Sequence, residues 1–325
     1  MNLADTPAGT RPEERLPVLF HVQAGASVGM GHLARSAALM AGLEGEGVTC
    51  RLSLDADAAG QAFAKARGLA ATATLGDPCA ALVVDALDLP SATRDAAQHV
   101  FPRILISPVC ADADVATHVL LRDMPPGLAG QLAKDTRVLT DPDFAFVTAQ
   151  GLVRRERIYD RLRIGLCLSG GVDRTALDPL VDCLLAAPEV AQLTVIDPRR
   201  PLRADDTDGR VVHVAPGAAP WGALQDINLF IGGDGVMLAE AIAQAIPALS
   251  LTTADRLPKN AALMATGALA CVLRGPGMDA ELTKRIRDLT ALKRMHANAW
   301  HLDGPGRATA LARAVITTLH DRPKV

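Results

Sequence analysis

The chain has 325 residues, 49% apolar and 21% charged, the balance of a soluble globular protein long enough for two domains of ordinary size. Thirty-six acidic against thirty-three basic side chains give a net charge of −3, with neither sign gathered into a block, and only 3% of residues are aromatic. Nucleic-acid binding would need a basic stripe and stacking aromatics, so that class of partner is excluded from the expectation.

Residues 1–16, rich in Pro, Thr, Glu and Arg, lack the apolar core of a signal peptide and read as a flexible tail. An apolar, β-branched run at 18–22 predicts a strand, and from His32 to Glu46 the apolar positions fall at helical spacing. The chain then predicts a strand at 48–54, a helix at 57–67, a strand at 80–84 ending in Asp85, a helix at 92–99, and strands at 104–107 and 117–121. The charged stretch 154–163 is the expected hinge. Beyond it come a strand at 163–168, a helix at 174–186, strands at 193–196, 211–214 and 227–231, and a helix at 236–244. A strand at 248–251, a helix at 259–266, a strand at 268–273 and two closing helices from about 279 complete the series.

Alternating strands and helices of this length specify parallel sheets covered on both faces, because each parallel connection requires a crossover. The expected fold is α/β, with one Rossmann-like domain at 17–155 and a second at 156–325 facing a central cleft. In open parallel sheets the ligand lies beyond the carboxyl ends of the strands, so functional residues belong in the loops that follow them. No apolar run reaches membrane-spanning length, and six cysteines without a C-x-x-C pair suit reduced thiols, so a cytoplasmic protein is expected.

Three glycine turns fall in such loops. The first, from Gly25 through Gly29 and Gly31 to His32, runs straight into a helix whose free N–H groups favour an anion. His32 at that positive helix end is kept neutral and is a competent general base; the same residues also make an ordinary tight turn with a capping histidine. The second turn, Ser169-Gly170-Gly171-Val172-Asp173, either holds a phosphate or is a plain turn with Asp173 as helix cap. The third contains Gly233 and Gly235, and Glu240 follows inside the next helix, where its two oxygens can meet a ribose hydroxyl pair or simply face water. Asp85, at a strand end, is either a cleft residue or a helix cap. His21 and Gln23, late in the first strand, either meet substrate hydroxyls or are satisfied within the sheet. No carboxylate and histidine cluster proposes a metal site, and no serine sits in a triad-like elbow.

The segments Val18-Leu19-Phe20 through Gly29-x-Gly31-His32-x-x-Arg35, Ser169-Gly170-Gly171-x-Asp173, the Glu240 helix ending at Ile246-Pro247, and Leu302-Asp303-Gly304-x-Gly306 together resemble one family. It is the UDP-2,4-diacetamido-2,4,6-trideoxy-β-L-altropyranose hydrolases of pseudaminic acid synthesis, with related spore-coat polysaccharide proteins. The resemblance spans nearly the whole chain. It implies a GT-B-like fold, related to the glycosyltransferase of the lipid-linked peptidoglycan precursor, and metal-independent cleavage between sugar C1 and the UDP oxygen, without a cofactor. It implies that His32 activates water, that Glu240 holds the uridine ribose, and that the glycines at 170, 171, 233 and 235 face the diphosphate. On the sugar side the chain departs from the family: His21-Val22-Gln23 replaces Arg-x-Asp, Ala86-Leu87 replaces His-Tyr, Ser107-Pro108-Val109 replaces an acidic pair, and Arg256-Leu257 replaces Asn-Gln, with Asn260 nearby as a substitute.

The expected function is hydrolysis of a nucleotide-activated amino sugar, with Gly29, Gly31, Gly170, Gly171, Gly233, Gly235 and Glu240 on the nucleotide and diphosphate, His32 as catalytic base, and His21, Gln23, Arg35, Asp85 and Asn260 around the substrate. A transferase of the same shape would use an acceptor hydroxyl in place of water, and a non-catalytic binder would keep the cleft without turnover. The partner expected is a small nucleotide sugar; neither a nucleic acid nor a membrane is expected.

Overall fold

A computed structural model describes residues 16–125, 127–146, 153–168, 177–196, 209–214, 222, 224–302 and 304–320. The first half contains β1 (Val18–Ala24), β2 (Cys50–Ala56), β3 (Ala81–Asp85), β4 (Arg103–Leu105), β5 (His118–Leu121) and β6 (Arg137–Thr140), ordered β2-β1-β3-β4-β5-β6. The second contains β7 (Leu162–Cys167), β8 (Val190–Ile196), β9 (Val211–Val214), β10 (Leu229–Gly232), β11 (Ala248–Thr252) and β12 (Leu269–Leu273), ordered β12-β11-β10-β7-β8-β9. Every strand pairing is parallel, so the molecule is α/β with two Rossmann-like sheets.

Central strands of such sheets are covered on both faces, which is why β1 (VLFHVQA) is buried at all seven positions rather than at alternate ones. Helix α1 (Gly31–Gly45) lays Leu33, Ser36, Leu39, Met40 and Leu43 on that strand at helical spacing. It stops where Gly47 takes a left-handed φ of 79° and its N–H bonds back to Glu44. Helix α2 (Ala58–Ala66) is capped by Asp57, and α3 (Ser91–Gln98) covers the other face. In the second half, α4 (Leu177–Leu185) and α5 (Val236–Ala243) carry the crossovers from β7 and β10. In each sheet the strand order reverses beside the first strand of that half, β1 or β7, and the crevice opens there.

Strand β6 is not anticipated by the sequence pattern: all four of its residues are exposed at the sheet edge, so burial leaves no alternation to read. Strand β8 begins earlier than expected, at Val190. The 259–266 helix divides into a short 3₁₀ turn, Leu257–Asn260, and α6 (Ala261–Ala265). Four helices, not two, close the chain: α7 (Met278–Arg287), α8 (Leu289–His301), α9 (Gly304–Ala308) and α10 (Ala310–Leu319). The first break comes where Asp288 leaves helical geometry and its carboxylate caps α8 by accepting from Ala291 N–H; the second comes at Leu302, which is extended.

Residues expected to stay with the second sheet do not all do so. Leu311, Ala312 and Val315 of α10 are buried in the first core with Val18, Phe20 and Leu39. The outward crossing, the 3₁₀ turn Pro142–Phe146, puts Phe144 in the first core and Phe146 in the second, and Arg307 on α9 pairs with Asp143 at 2.5 Å. After it, the irregular stretch expected as a hinge is fastened to the second half, where Arg154 donates to the Ala299 carbonyl and Arg157 to that of Ile227. Leu311→Ala removes a side chain only 2% exposed and is expected to cost about 3 kcal/mol of stability in urea unfolding.

Candidate active site in the interdomain cleft

A cavity of about 610 Å³ lies between the carboxyl ends of the two sheets, and both halves line it. From the first half come the 25–35 turn and helix start, Arg67, and the residues that follow β4 and β5. From the second come Gly233, Asp234, Gly235, Glu240, Arg256 and Lys259.

The first turn is a narrow loop closed by reciprocal backbone bonds between Gly25 and Gly29, with Gly29 at φ 90°, where a side chain would be strained. Asp57 clamps it: one carboxylate oxygen accepts from Ala26 N–H at 2.8 Å and the other from Gly60 N–H at 2.9 Å. A Cβ on Gly25 would stand 2.7 Å from that carboxylate, so the close approach requires glycine. The loop delivers His32 to the second position of α1, at the cavity wall.

Behind His32 lies Asp85, with no exposure to solvent. Arg35 grips its two oxygens through Nε at 2.9 Å and Nη2 at 2.5 Å, and Ser36 donates to it at 3.0 Å. His32 Nδ1 is 3.1 Å from the Asp85 backbone carbonyl and 3.2 Å from its carboxylate. Both are acceptors, so Nδ1 carries the hydrogen and Nε2 keeps its lone pair. Burial, the largest influence, holds the His32 pKa below the ordinary 6.5; the Asp85 charge opposes this and Arg35 adds to the lowering. Because Arg35 already neutralises Asp85, the imidazole is not required to charge.

The other expected residues divide between wall and interior. Gly29, Gly31, Arg35, Gly233, Gly235 and Glu240 line the cavity; Gly170 and Gly171, with Ser169 and Asp173, lie outside the described residues, as does Asp303. Asp85 acts behind His32 rather than at the wall. Gln23 spends its amide within the first half, donating to Asp55 and Asp88 and accepting from Leu87 N–H at 2.7 Å. His21 is 3% exposed beside Ser53, and burial lowers its pKa as well. Asn260 is fully buried and donates to Asp234 at 2.7 Å, in a network where Ser250 and Thr252 donate to the same carboxylate.

Sequence reasoning missed Arg67, Arg122, Asp123 and Lys259, and treated Arg256 only as a departure from a pattern. All five line the cavity. The available signal was position: Arg122 and Asp123 come directly after β5, and Arg256 and Lys259 lie in the loop after β11. Arg67 stacks its guanidinium 4.5 Å from the Phe63 ring centre and feels the charge of Glu240 from the opposite half.

No protein-family model and no curated protein matches the chain. Solved structures do. They include the S. aureus MnaA–UDP structure (12% identity, TM-score 0.58, 95% of this chain and 99% of that one). UDP-GlcNAc 2-epimerase from Neisseria meningitidis bound to UDP-GlcNAc is similar at 12% identity and TM-score 0.58, over 94% of this chain and 99% of that one. The glycosyltransferase SnogD from Streptomyces nogalater is similar at 16% identity and TM-score 0.53, over 93% and 100%. The protein therefore has the GT-B fold, two Rossmann-like domains facing one cleft.

Two expectations follow from the site. His21 and His32 both hold pKa values below 6.5 when folded, so between 6.5 and the folded values only the unfolded chain takes up the protons. Stability is complete above pH 6.5 and falls as pH drops through that window; urea midpoints at pH 7.5 and 5.5 measure it, and His21→Gln reduces the difference. Asp85→Ala leaves Arg35 without its counter-charge and is expected to cost about 3 kcal/mol in the same assay.

Proposed function

We propose that the protein is a nucleotide-sugar enzyme that breaks the bond between sugar C1 and the diphosphate oxygen, with water as the attacking group. The observation that carries the reading is the His32 imidazole at the cavity wall, its Nδ1 engaged by Asp85 and its Nε2 left as a base, opposite the 233–235 turn of the other half. The GT-B fold shared with proteins solved with UDP and UDP-GlcNAc supports a nucleotide ligand, and the resemblance to the hydrolase family assigns it to the second half, with Glu240 toward the ribose and the N–H groups at the start of α5 toward the diphosphate.

In this reading the water oxygen bonds to C1 from the His32 face as the C1–O bond to UDP breaks. The water proton passes to His32 Nε2, and UDP departs with the bonding electrons toward the α5 terminus. Attack opposite the leaving group inverts C1. Asp85 and Arg35 hold the ring and its tautomer and do not exchange the proton.

A transferase reading is favoured by one further feature. Met30, Ile106, Val109 and Phe144 give the first-half wall an apolar surface, and a cavity of about 610 Å³ has room for an acceptor larger than water. A hydroxyl of that acceptor would then give its proton to the same His32.

Incubating purified protein with UDP-sugars and following UDP and free sugar by NMR tests the reading. His32→Ala is expected to lower turnover about 100- to 10,000-fold while leaving thermal unfolding intact, and EDTA is expected to leave the rate unchanged. Free sugar formed without acceptor supports hydrolysis; turnover only on adding an acceptor supports transfer; full turnover by His32→Ala overturns both.

A further inference from the structure

Three cations line the cavity, and Lys259 lies close enough to the other two to feel their charges. Arg122 enters from the end of β5, and Arg256 and Lys259 enter from the loop after β11. Burial is the main reason the pKa of Lys259 is lowered; the charges of Arg256 and Arg122 add to it, while Asp234 and Asp123 oppose it. Arg122 is lowered for the same leading reason, with Asp123 and Asp234 opposing and Arg35 adding. Arg122 and Lys259 hold like charges together partly out of water, with Arg256 exposed beside them, and that costs free energy unless a counter-charge joins them.

The carboxylates present do not balance the cations. Asp85 is matched to Arg35, which removes that pair from the count. On the cavity face Asp234 and Asp123 stand against Arg122, Arg256 and Lys259, and Asp255, exposed like Arg256, reaches Arg256 and Lys259 from the solvent side. The face that lines the cavity thus carries one more positive than negative charge, and the Asp255 carboxylate that offsets it lies outside the lining. Asp123 supplies a second polar handle: its Oδ1 lies 3.9 Å from Arg122, while its Oδ2 is buried with no hydrogen-bond partner among the described residues.

We propose that Arg122, Arg256 and Lys259 recognise a single carboxylate on the sugar carried by the nucleotide; the inference rests on the nucleotide-sugar reading above. The diphosphate is assigned to the 233–235 turn and the α5 terminus. Arg256 and Lys259 stand one strand to the side of that turn, and Arg122 approaches from the half that carries His32, which brackets the sugar. Planar guanidinium forks fit a carboxylate's two oxygens, and the ammonium adds a point charge. Asp123, at the cavity wall beside Arg122, holds that guanidinium in place for the carboxylate. The substrate class is a nucleoside-diphosphate sugar acid, and Arg256 is the one departure from the hydrolase pattern that puts a charged side chain where that family has an amide.

Calorimetric titration of the full chain with UDP, UDP-glucose and UDP-glucuronate tests this, since the two sugars differ by a C6 carboxylate in place of a hydroxymethyl group. UDP-glucuronate is expected to bind about tenfold or more tightly than UDP-glucose, and Lys259→Gln and Arg122→Gln are each expected to bring that ratio toward one. Equal affinity for the two sugars, with UDP itself bound, overturns the inference and leaves the nucleotide-sugar reading standing. Variants that weaken UDP and both sugars alike assign the cations to the diphosphate and also overturn it. Failure to bind UDP or either sugar removes the nucleotide-sugar reading and the inference with it. The wild-type ratio decides even where a variant does not fold.

Discussion

A carboxylate without water around it must be surrounded by donors, and Asp85 is the point from which the arrangement of the first half follows. Its position is fixed because β3 is a central strand, buried on both faces, and Asp85 is where that strand ends. The donors come from α1: Arg35 and Ser36 hold the side chain, and His32, one turn earlier, meets both its carboxylate and its backbone carbonyl. Helix α1 can present them only if the turn before it is tight, which requires the closed Gly25–Gly29 loop and its Asp57 clamp. One buried charge thereby links strand, loop and helix, and sets which imidazole nitrogen is free.

The second half solves a similar problem differently. Asp234 sits in a glycine turn at the carboxyl end of β10, and its oxygens accept from Ser250, Thr252 and Asn260 rather than from an arginine. Hydroxyl and amide donors satisfy its hydrogen bonding but leave its charge, which reaches Lys259 in the same half and Arg122 in the other. The first half thus presents an imidazole on a charge-balanced support, while the second half carries charges that are left to one another.

Much of this was legible in the sequence because it is local. An apolar run, glycines and a helical repeat in succession place β1, the turn and α1, and His32 with them. What could not be read is the direction in which a polar side chain points. Gln23 and Asp85 sit at strand ends, where cleft residues emerge, His21 lies in mid-strand and Asn260 in the 3₁₀ turn after β11, yet each is turned into the protein and bonded there. Arg122 and Lys259 had the reverse fate: charged loop residues ordinarily face water, and only the facing of two sheets turns these toward each other. The last helix was misplaced for a related reason. An apolar stripe such as Leu311, Ala312 and Val315 shows that a helix packs, not against which sheet.

That last helix has a mechanical meaning. The chain passes between the halves through the Pro142–Phe146 turn and returns through α9, and the Arg307–Asp143 pair fastens the two passages side by side. Bodies joined by one cord can swivel in any direction; joined by two cords bound together, they keep only a rocking motion about the line the cords share. His32 and Glu240 line the cavity from the two halves, so such a rocking would change the gap between them without sliding one past the other. The register between His32 of one half and Glu240 of the other is therefore set by the paired crossings rather than by the cleft walls themselves.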